Sequence, residues 1–237
     1  MLVYGMHTVT ALLKKSPEHI TKLYLLETRR EFDTGKIPVQ WLSRHELDQL
    51  SGGQNHQGVI AEHHPSEKTY TEADLPTLLK GDQQVDSTFL LILDGVQDPH
   101  NLGACLRTAD AAGVHAVIAP KDNSVAITPT VRKVACGAAE IVPFITVTNL
   151  ARTLRTLKDQ GIWLYGADDE AENSLYQTDL RGPLGVVLGA EGKGLRRLTK
   201  DHCDGLMSIP MAGSVSSLNV SVATGICLFE AVRQRTL

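Results

Sequence analysis

No stretch of the sequence is long and apolar enough to cross a membrane as a helix. The longest strongly apolar windows, residues 89–93 and 184–188, fall far short of the roughly 20 residues that such a helix needs. The N-terminus also lacks the basic region followed by an apolar core that is typical of a secretory signal. These absences predict a cytoplasmic protein.

The sequence also lacks paired cysteines. Its four cysteines are widely separated and none belongs to a CxxC motif; they are Cys105, Cys136, Cys203 and Cys227. This spacing predicts reduced thiols that behave as small buried hydrophobic side chains. His63 and His64 are adjacent, but neighbouring strand residues point to opposite faces, and no cysteine or carboxylate lies at ligand spacing. The sequence therefore predicts no metal site.

An excess of positive charge is absent as well. The chain has 23 Lys and Arg residues against 27 Asp and Glu residues, which gives a net charge of −4. This balance argues against a protein that coats nucleic acid through a general positive field, although a local RNA-binding patch stays possible. Three basic clusters are candidates for such a patch: Arg132 with Lys133, Arg152 with Arg155 and Lys158, and Lys193 with Arg196, Arg197 and Lys200. Each cluster could equally be the solvated face of a helix.

The chain has 237 residues, of which 42% are hydrophobic, enough for a sizeable core. Alternating patterns predict a small α/β domain over residues 1–65, with helices at 6–15 and 44–50 and strands at 20–26, 39–42 and 58–63. Residues 66–86 lack sustained periodicity and carry net negative charge, which is typical of a linker. A second domain is expected over residues 87–237.

In the second domain, strand-like runs alternate with helical patterns. The predicted strands are 89–94, 114–119, 141–146, 162–167, 184–188 and 206–209, and the predicted helices are 101–112, 128–138, 149–160, 193–203 and 217–234. This alternation predicts a parallel sheet that is covered on both faces. Ligands of such sheets bind beyond the carboxyl ends of the strands, so the loops after strands 89–94, 184–188 and 206–209 are expected to converge on one pocket.

The loop after the last strand carries small polar residues. It offers Gly213, Ser214, Ser216, Ser217 and Asn219, which can hold a polar ligand without any charge of their own. We therefore expect an uncharged cradle for a neutral or cationic ligand. Alternatively, Ser216 or Ser217 merely caps the helix that follows.

The loop after the first strand leads into a helix. Pro99 ends the extended segment, Asn101 can cap the helix, and Leu102, Leu106 and Ala109 form its apolar stripe. Arg107 lies off this stripe. Such an arginine is either a solvated charge or a planar donor that grips phosphate.

The loop after strand 184–188, residues 188–195, is rich in glycine. Its glycines at 189, 192 and 194 fit neither the dinucleotide-binding nor the P-loop spacing, yet they indicate that backbone passes close to another group. Glu191 lies among them, either as a complement to a helix dipole or as a functional acceptor.

Taken together, residues 93–114, 188–195 and 207–225 resemble the three signature motifs of the SpoU, or TrmH-like, RNA 2′-O-ribose methyltransferases. The resemblance covers essentially the whole chain, because residues 4–7 and 55–59 are similar to the ends of the small substrate-binding domain that precedes the catalytic domain in one subgroup. It implies the SPOUT fold, an α/β domain whose C-terminal segment is threaded into a trefoil knot. Periodicity alone could not have indicated a knot.

The resemblance also implies a reaction. Members of the subgroup transfer a methyl group from S-adenosylmethionine to the ribose 2′-hydroxyl of a guanosine in 23S ribosomal RNA, working as homodimers. Carried over to this chain, the cofactor-binding residues are Gly189, Ile209, Met211 and Leu218. Those expected at the reacting ribose are Asn101, Arg107, Glu191, Ser217 and Asn219.

Arg107 is often taken as the base in this family, but an arginine is nearly always charged. We therefore expect it to fix the neighbouring phosphate, while the ribose proton passes to phosphate, water or Glu191. In the small domain, the candidate RNA contacts are His7, Arg29, Arg30, His56 and Gln57, although His56 or Gln57 could simply stabilise a turn. Two other functions stay open: a ribose methyltransferase that acts on tRNA, and a non-catalytic RNA-binding or ribosome-assembly protein.

Overall fold

The computed structural model describes residues 1–64, 70–79 and 88–236. Contacts within the chain divide them into a small unit, residues 1–64 with 136–141, and a larger unit, residues 70–79, 88–135 and 142–236. Residues 70–79 fall inside the predicted linker, yet they contain a strand and a short helix of the larger unit. The linker prediction is therefore wrong for these residues. A strand of only two residues is too short to show apolar periodicity, so the sequence pattern did not reveal that it pairs with the sheet. The rest of that stretch lies outside the described residues.

The small unit is a four-stranded mixed sheet with helices. Its elements are β1 (Leu2–Tyr4), α1 (Met6–Lys15), β2 (Ile20–Leu26), β3 (Val39–Leu42), α2 (Arg44–Ser51), β4 (Val59–His63) and, from the later segment, α6 (Ala138–Ile141). The strand order is β1-β4-β2-β3, and only β2 and β3 run parallel. Val9 and Leu12 of α1 pack on Leu23 and Leu25 of β2, so the predicted α/β unit is confirmed.

The larger unit alternates strands and helices. Its elements are β5 (Tyr70–Thr71), α3 (Leu75–Leu79), β6 (Phe89–Asp94), α4 (Pro99–Ala111), β7 (Ala116–Pro120), α5 (Pro129–Ala135), β8 (Phe144–Val147), α7 (Leu150–Asp159), β9 (Trp163–Ala167), β10 (Leu184–Gly189), α8 (Arg197–Lys200), β11 (Gly205–Met207) and α9 (Val220–Arg235). All six predicted strands are present: 89–94 has the predicted bounds, and the ends of the others shift by at most three residues.

The seven strands form one parallel sheet in the order β11-β9-β10-β6-β7-β8-β5. Every residue of β6 is buried. Leu90 and Ile92 pack in one core cluster with Leu154 of α7, while alternation places Leu91 and Leu93 on the opposite face. The sheet is therefore covered on both faces, as the sequence predicts, and its carboxyl edge collects the loops that carry the motifs.

Three helices differ from the predictions, one in the residue that caps it and two in their bounds, because turns shorten them. Asp98, and not Asn101, caps α4, since its carboxylate accepts from the N–H of His100 (3.1 Å). The helix predicted at 128–138 ends at Ala135 because Cys136 adopts a left-handed backbone (φ 51°). The helix predicted at 193–203 is reduced to α8, because residues 190–194 form a tight turn in which Gly194 N–H donates to Ala190 O (2.9 Å).

Three of the four cysteines match their predicted environment. Cys105 and Cys227 are buried and Cys203 is half-buried. Burial raises the pKa of Cys105 to about 11 and the pKa of Cys227 to about 12, so both stay thiols at neutral pH. The prediction is wrong for Cys136, which is exposed because it lies in the turn after α5.

We expect Gly103→Ala to destabilise the larger unit. A Cβ at Gly103 of α4 would lie 2.6 Å from Cβ of Val134, so α5 must move. Overpacking of this kind costs about 2 kcal/mol in the free energy of unfolding. Gly225→Ala in α9 is the matched control, because its Cβ would make only an ordinary contact of 3.9 Å. This substitution should raise the free energy of unfolding by about 0.5–1 kcal/mol. Urea unfolding measures both; equal effects would contradict this account of the α4–α5 contact.

Candidate active site

The three motif loops meet at the carboxyl edge of the larger sheet. β6 and β10 are neighbours, and β11 is separated from β10 by β9 alone. One cavity is lined by residues of the loops after β10 and β11, and a side chain from the first turn of α4 bonds to the loop after β10. The predicted convergence of the loops is therefore confirmed.

A chain of side-chain hydrogen bonds joins the three motifs. Asn101 of α4 donates from Nδ2 to Oε2 of Glu191 (3.2 Å) and accepts at Oδ1 from Nδ2 of Asn219 (2.9 Å). Asn219 in turn caps α9, because its Oδ1 accepts from the N–H (2.9 Å) and the hydroxyl (2.6 Å) of Ser221. Capping thus belongs to Asn219 and not to Ser216 or Ser217.

The loop that carries Glu191 folds back on its own strand. Gly189, the last residue of β10, faces the backbone of Gly194 and Leu195 so closely that a Cβ would overlap their atoms. Leu195 is buried in the core, whereas residues 191–194 are exposed. Glycine at 189 therefore permits the close return of the loop, as the glycine spacing indicated.

The first cavity has a volume of about 420 Å³. All four predicted cofactor residues line it, together with the predicted Ser217; the four are Gly189, Ile209, Met211 and Leu218. Its walls also carry four carboxylates against two ammonium groups, namely Asp168, Asp169, Glu170 and Glu191 against Lys193 and Lys200. The expectation of an uncharged cradle is wrong, because the turn after β9 adds acidic residues to the neutral 211–218 loop.

A second cavity, of about 320 Å³, lies beside the first. Glu191, Lys193, Gly194 and Val220 line both cavities, so the loop after β10 forms a wall that they share. Five other side chains that line the second cavity are polar, beside Gly95, Val96 and Ala190. Asn101 and Arg196 line it, with Gln97, Asp98 and Asn123. The carboxylate of Glu191 is thus positioned to act on groups in either space.

Arg107 is exposed on α4 and lines neither cavity. Asn101 and Arg107 are six positions apart, so a helix presents them on different faces. Of the five expected reacting-site residues, Asn101, Glu191 and Ser217 therefore line the cavities, and Asn219 bonds to Asn101.

Sequence reasoning missed two buried carboxylates at the same edge. Asp94 ends β6 and Asp168 follows β9, and their side chains are 0% and 4% exposed. Asp94 pairs with Arg196, and Asp168 pairs with Lys200. A signal was present, since a charged residue directly follows an apolar strand in both places. A buried carboxylate requires a partner.

Other candidate contacts have structural roles. In the small unit, Nδ1 of His56 accepts from the N–H of Gly58 (3.0 Å) and its Nε2 bonds to Asp48 (2.9 Å), while Gln57 Oε1 accepts from the N–H of Met6 (3.0 Å). Arg29 and Arg30 are exposed, and the side chain of His7 lies outside the described residues.

Ion pairs also account for two members of the basic cluster of Arg152, Arg155 and Lys158. Arg152 pairs with Glu72 (3.5 Å) and Lys158 with Asp204 (2.9 Å). Among the described residues, no group of three or more His, Cys, Asp and Glu side chains is placed to hold a metal ion. No helix in the described ranges has the length and apolarity to span a membrane.

Both units resemble known protein families. A family model described as the SpoU rRNA Methylase family matches residues 88–229. A second, described as RNA 2′-O ribose methyltransferase substrate binding, matches residues 2–69. The chain is 55% identical over 244 residues to the 23S rRNA (guanosine-2′-O-)-methyltransferase RlmB of Escherichia coli (strain K12), with 99% of each chain covered. RlmB of Photorhabdus laumondii is also 55% identical over 244 residues, covering 99% of this chain and 98% of the relative.

Solved structures share the fold. An RNA 2′-O ribose methyltransferase superposes with a TM-score of 0.74 at 26% identity, covering 100% of this chain and 89% of the other. The SpoU methyltransferase AviRb from Streptomyces viridochromogenes, in complex with AdoMet, gives 0.70 at 23% identity, covering 100% and 90%. The family resemblance of the three motifs is confirmed, and this protein belongs to the SpoU rRNA methylase family.

Proposed function

We propose that the protein transfers a methyl group from S-adenosylmethionine to the 2′-oxygen of a guanosine ribose in 23S ribosomal RNA. The observation that carries the proposal is the hydrogen-bonded chain Glu191–Asn101–Asn219, which gathers three distant motifs between two adjoining cavities. RlmB, at 55% identity over nearly the whole chain, is named for this reaction. An intact site speaks against a non-catalytic assembly protein, and the substrate-binding unit at residues 2–69 favours rRNA over tRNA.

The first cavity suits the methyl donor. Its volume lies within the range of small-molecule sites, and Ile209, Met211 and Leu218 supply apolar surface. The excess of carboxylates over ammonium groups in its walls favours a cationic ligand. When bound, S-adenosylmethionine supplies a methyl group carried on a sulfonium sulfur.

The second cavity is assigned to the target nucleoside. A ribose hydroxyl placed there meets Glu191 at the shared wall. Oε2 of Glu191 accepts a hydrogen bond from Asn101, whereas Oε1 has no hydrogen-bond partner among residues 1–64, 70–79 and 88–236. Because the 2′-hydroxyl is a weak acid, its proton must leave during attack, and Oε1 is the acceptor that this geometry offers.

Arg107 acts on the RNA backbone in this proposal. Its exposed position on α4 suits a planar donor that grips a phosphate, and an arginine remains protonated at neutral pH. It therefore orients the RNA, while Glu191 accepts the proton.

The protein works as a cytoplasmic homodimer in this proposal. An exposed apolar stripe on α9 supports a dimer, because Val222 and Phe229 are 50% and 49% exposed and lie about two helical turns apart. Ile226 is half-buried between them.

The function is tested by mapping 2′-O-methylation on ribosomal RNA from cells with and without the protein. One guanosine of 23S rRNA should lose its mark. Retention of every rRNA mark, with loss of a tRNA mark instead, would contradict the rRNA assignment.

Glu191→Gln should slow methyl transfer about 100-fold or more, because a general base contributes at least that factor. The amide oxygen of Gln can still accept from Asn101, so the surrounding geometry should persist. Single-turnover rates on a 23S rRNA fragment measure the loss, and calorimetry should find the Kd for S-adenosylmethionine within about threefold of wild type. An unchanged rate would remove Glu191 from the chemistry.

Arg107→Lys should lower kcat/KM for RNA about tenfold, because lysine keeps the charge but loses the two-pronged donor geometry. The Kd for S-adenosylmethionine should not change, since Arg107 lines neither cavity. A near-normal kcat/KM for RNA would refute the geometric role.

Phe229→Glu should convert the dimer to a monomer, which light scattering after size-exclusion chromatography detects. Trp163→Glu is the matched control, because Trp163 is 56% exposed at the start of β9 and away from the stripe. A dimer that survives Phe229→Glu, or a monomeric wild type, would contradict the assignment of this surface.

A further inference from the structure

The segment 196–200 crosses the end of β10. Arg196 bonds to Asp94 at the end of β6, and Lys200 bonds to Asp168 just after β9. Since β10 lies between β6 and β9 in the sheet, the two ion pairs tie the segment to both neighbours of the strand from which the Glu191 loop emerges.

The Asp94 carboxylate is fully buried, and among the described residues its hydrogen bonds all come from Arg196. The backbone N–H of Arg196 donates to Oδ2 (3.1 Å), and the guanidinium donates from Nε to Oδ1 (2.6 Å) with Nη2 also on Oδ1. Asp94 is also the register partner of Gly189. Because a buried charge without a partner is costly, Asp94 strongly restricts where Arg196 can lie.

The second pair repeats this arrangement at the other end of the segment. Oδ1 of Asp168 accepts from the N–H of Glu170 (3.1 Å), and Oδ2 receives the ammonium group of Lys200. The hydrogen bond to Asp168 raises the pKa of Lys200 above its usual value. Both residues line the first cavity, whereas Arg196 lines the second.

The Glu191 loop has little packing of its own. Residues 191–194 are exposed, and the only side-chain hydrogen bond of Glu191 within the described ranges is the one from Asn101. The position of the loop is therefore set by β10 on one side and by Leu195 and the 196–200 segment on the other.

We infer that Arg196 and Lys200 are positioning residues, whose ion pairs with Asp94 and Asp168 hold the 196–200 segment across β10 and so fix Glu191 between the two cavities. This inference rests on the proposed function for its effect on methyl transfer. Its effect on the loop and on cofactor binding does not depend on which RNA is the substrate.

Arg196→Lys tests the first pair. The variant keeps the charge and the backbone hydrogen bond to Asp94 but loses the guanidinium fork. We expect kcat for a 23S rRNA fragment to fall about tenfold, and the amides of Lys193 and Gly194 to exchange hydrogen about tenfold faster. The Kd for S-adenosylmethionine should stay within about threefold of wild type.

Arg181→Lys is the matched control. Arg181 likewise donates from Nε and Nη2 to a carboxylate, here to the two oxygens of Asp179 at 2.8 Å each, but both residues are exposed and precede the amino end of β10. This variant should leave kcat, amide exchange at 193–194 and cofactor binding unchanged.

Lys200→Met and Lys200→Arg test the second pair. Lys200→Met should weaken binding of S-adenosylmethionine about tenfold, because the 196–200 segment loses its tie to Asp168 and the cavity wall shifts, an effect that we expect to outweigh the attraction of the freed carboxylate for a cation. Lys200→Arg should restore binding. These binding measurements need no RNA. If the wild-type protein methylates no 23S rRNA guanosine, that result contradicts the proposed function, but the binding measurements still test the inference.

A purely stabilising role would give a different pattern. Arg196→Lys and Lys200→Met would then lower Tm while kcat, cofactor affinity and loop exchange, all measured well below Tm, matched wild type. That pattern, or equal effects in the Arg181→Lys control, would overturn the inference.

Discussion

The site depends on the side-chain amide of Asn101, which forms a hydrogen bond through its nitrogen and another through its oxygen. Its nitrogen donates to Glu191 and its oxygen accepts from Asn219, so one amide fixes residues 90 and 118 positions away in the chain. Neither neighbour could keep its orientation through packing alone, because Glu191 lies on an exposed turn and Asn219 precedes a helix. Hydrogen bonding in a chain rigidifies all of its members, and the proton transfer that we propose for Glu191 requires a fixed carboxylate.

The sheet supplies the conditions under which this chain of bonds can form. Parallel strands end at one edge, so loops from β6, β10 and β11 meet there despite their separation in sequence. Glycine at 189 lets the loop after β10 fold back onto its own strand. Buried carboxylates on the two strands that flank β10 then tie down its return segment. Backbone proximity and matched charge thus hold in place a loop that presents Glu191 to both cavities.

Much of this could be predicted from the sequence. Periodicity gave the small α/β unit and six strands of the parallel sheet. The family resemblance gave six of the residues that line the first cavity, namely Gly189, Glu191, Ile209, Met211, Ser217 and Leu218, but not the acidic residues of the turn after β9. What escaped prediction depends on strand order. The pairs Asp94–Arg196 and Asp168–Lys200 join residues 102 and 32 positions apart, and they form only because β10 lies between β6 and β9. The position of Arg107 outside the cavities, and the threading of the knot that the resemblance implies, likewise depend on tertiary arrangement rather than on local pattern.

The central claim is that Glu191, Asn101 and Asn219 act as one unit, and a double-mutant cycle in single-turnover methyl transfer tests it most directly. Asn101→Ala removes both contacts, and Asn219→Ser keeps a cap for α9 but loses the donor to Asn101. The account predicts that each variant slows transfer about tenfold or more and that the double variant is no slower than the worse single variant. Losses that multiply in the double variant would show that the two residues act independently, and would contradict the account.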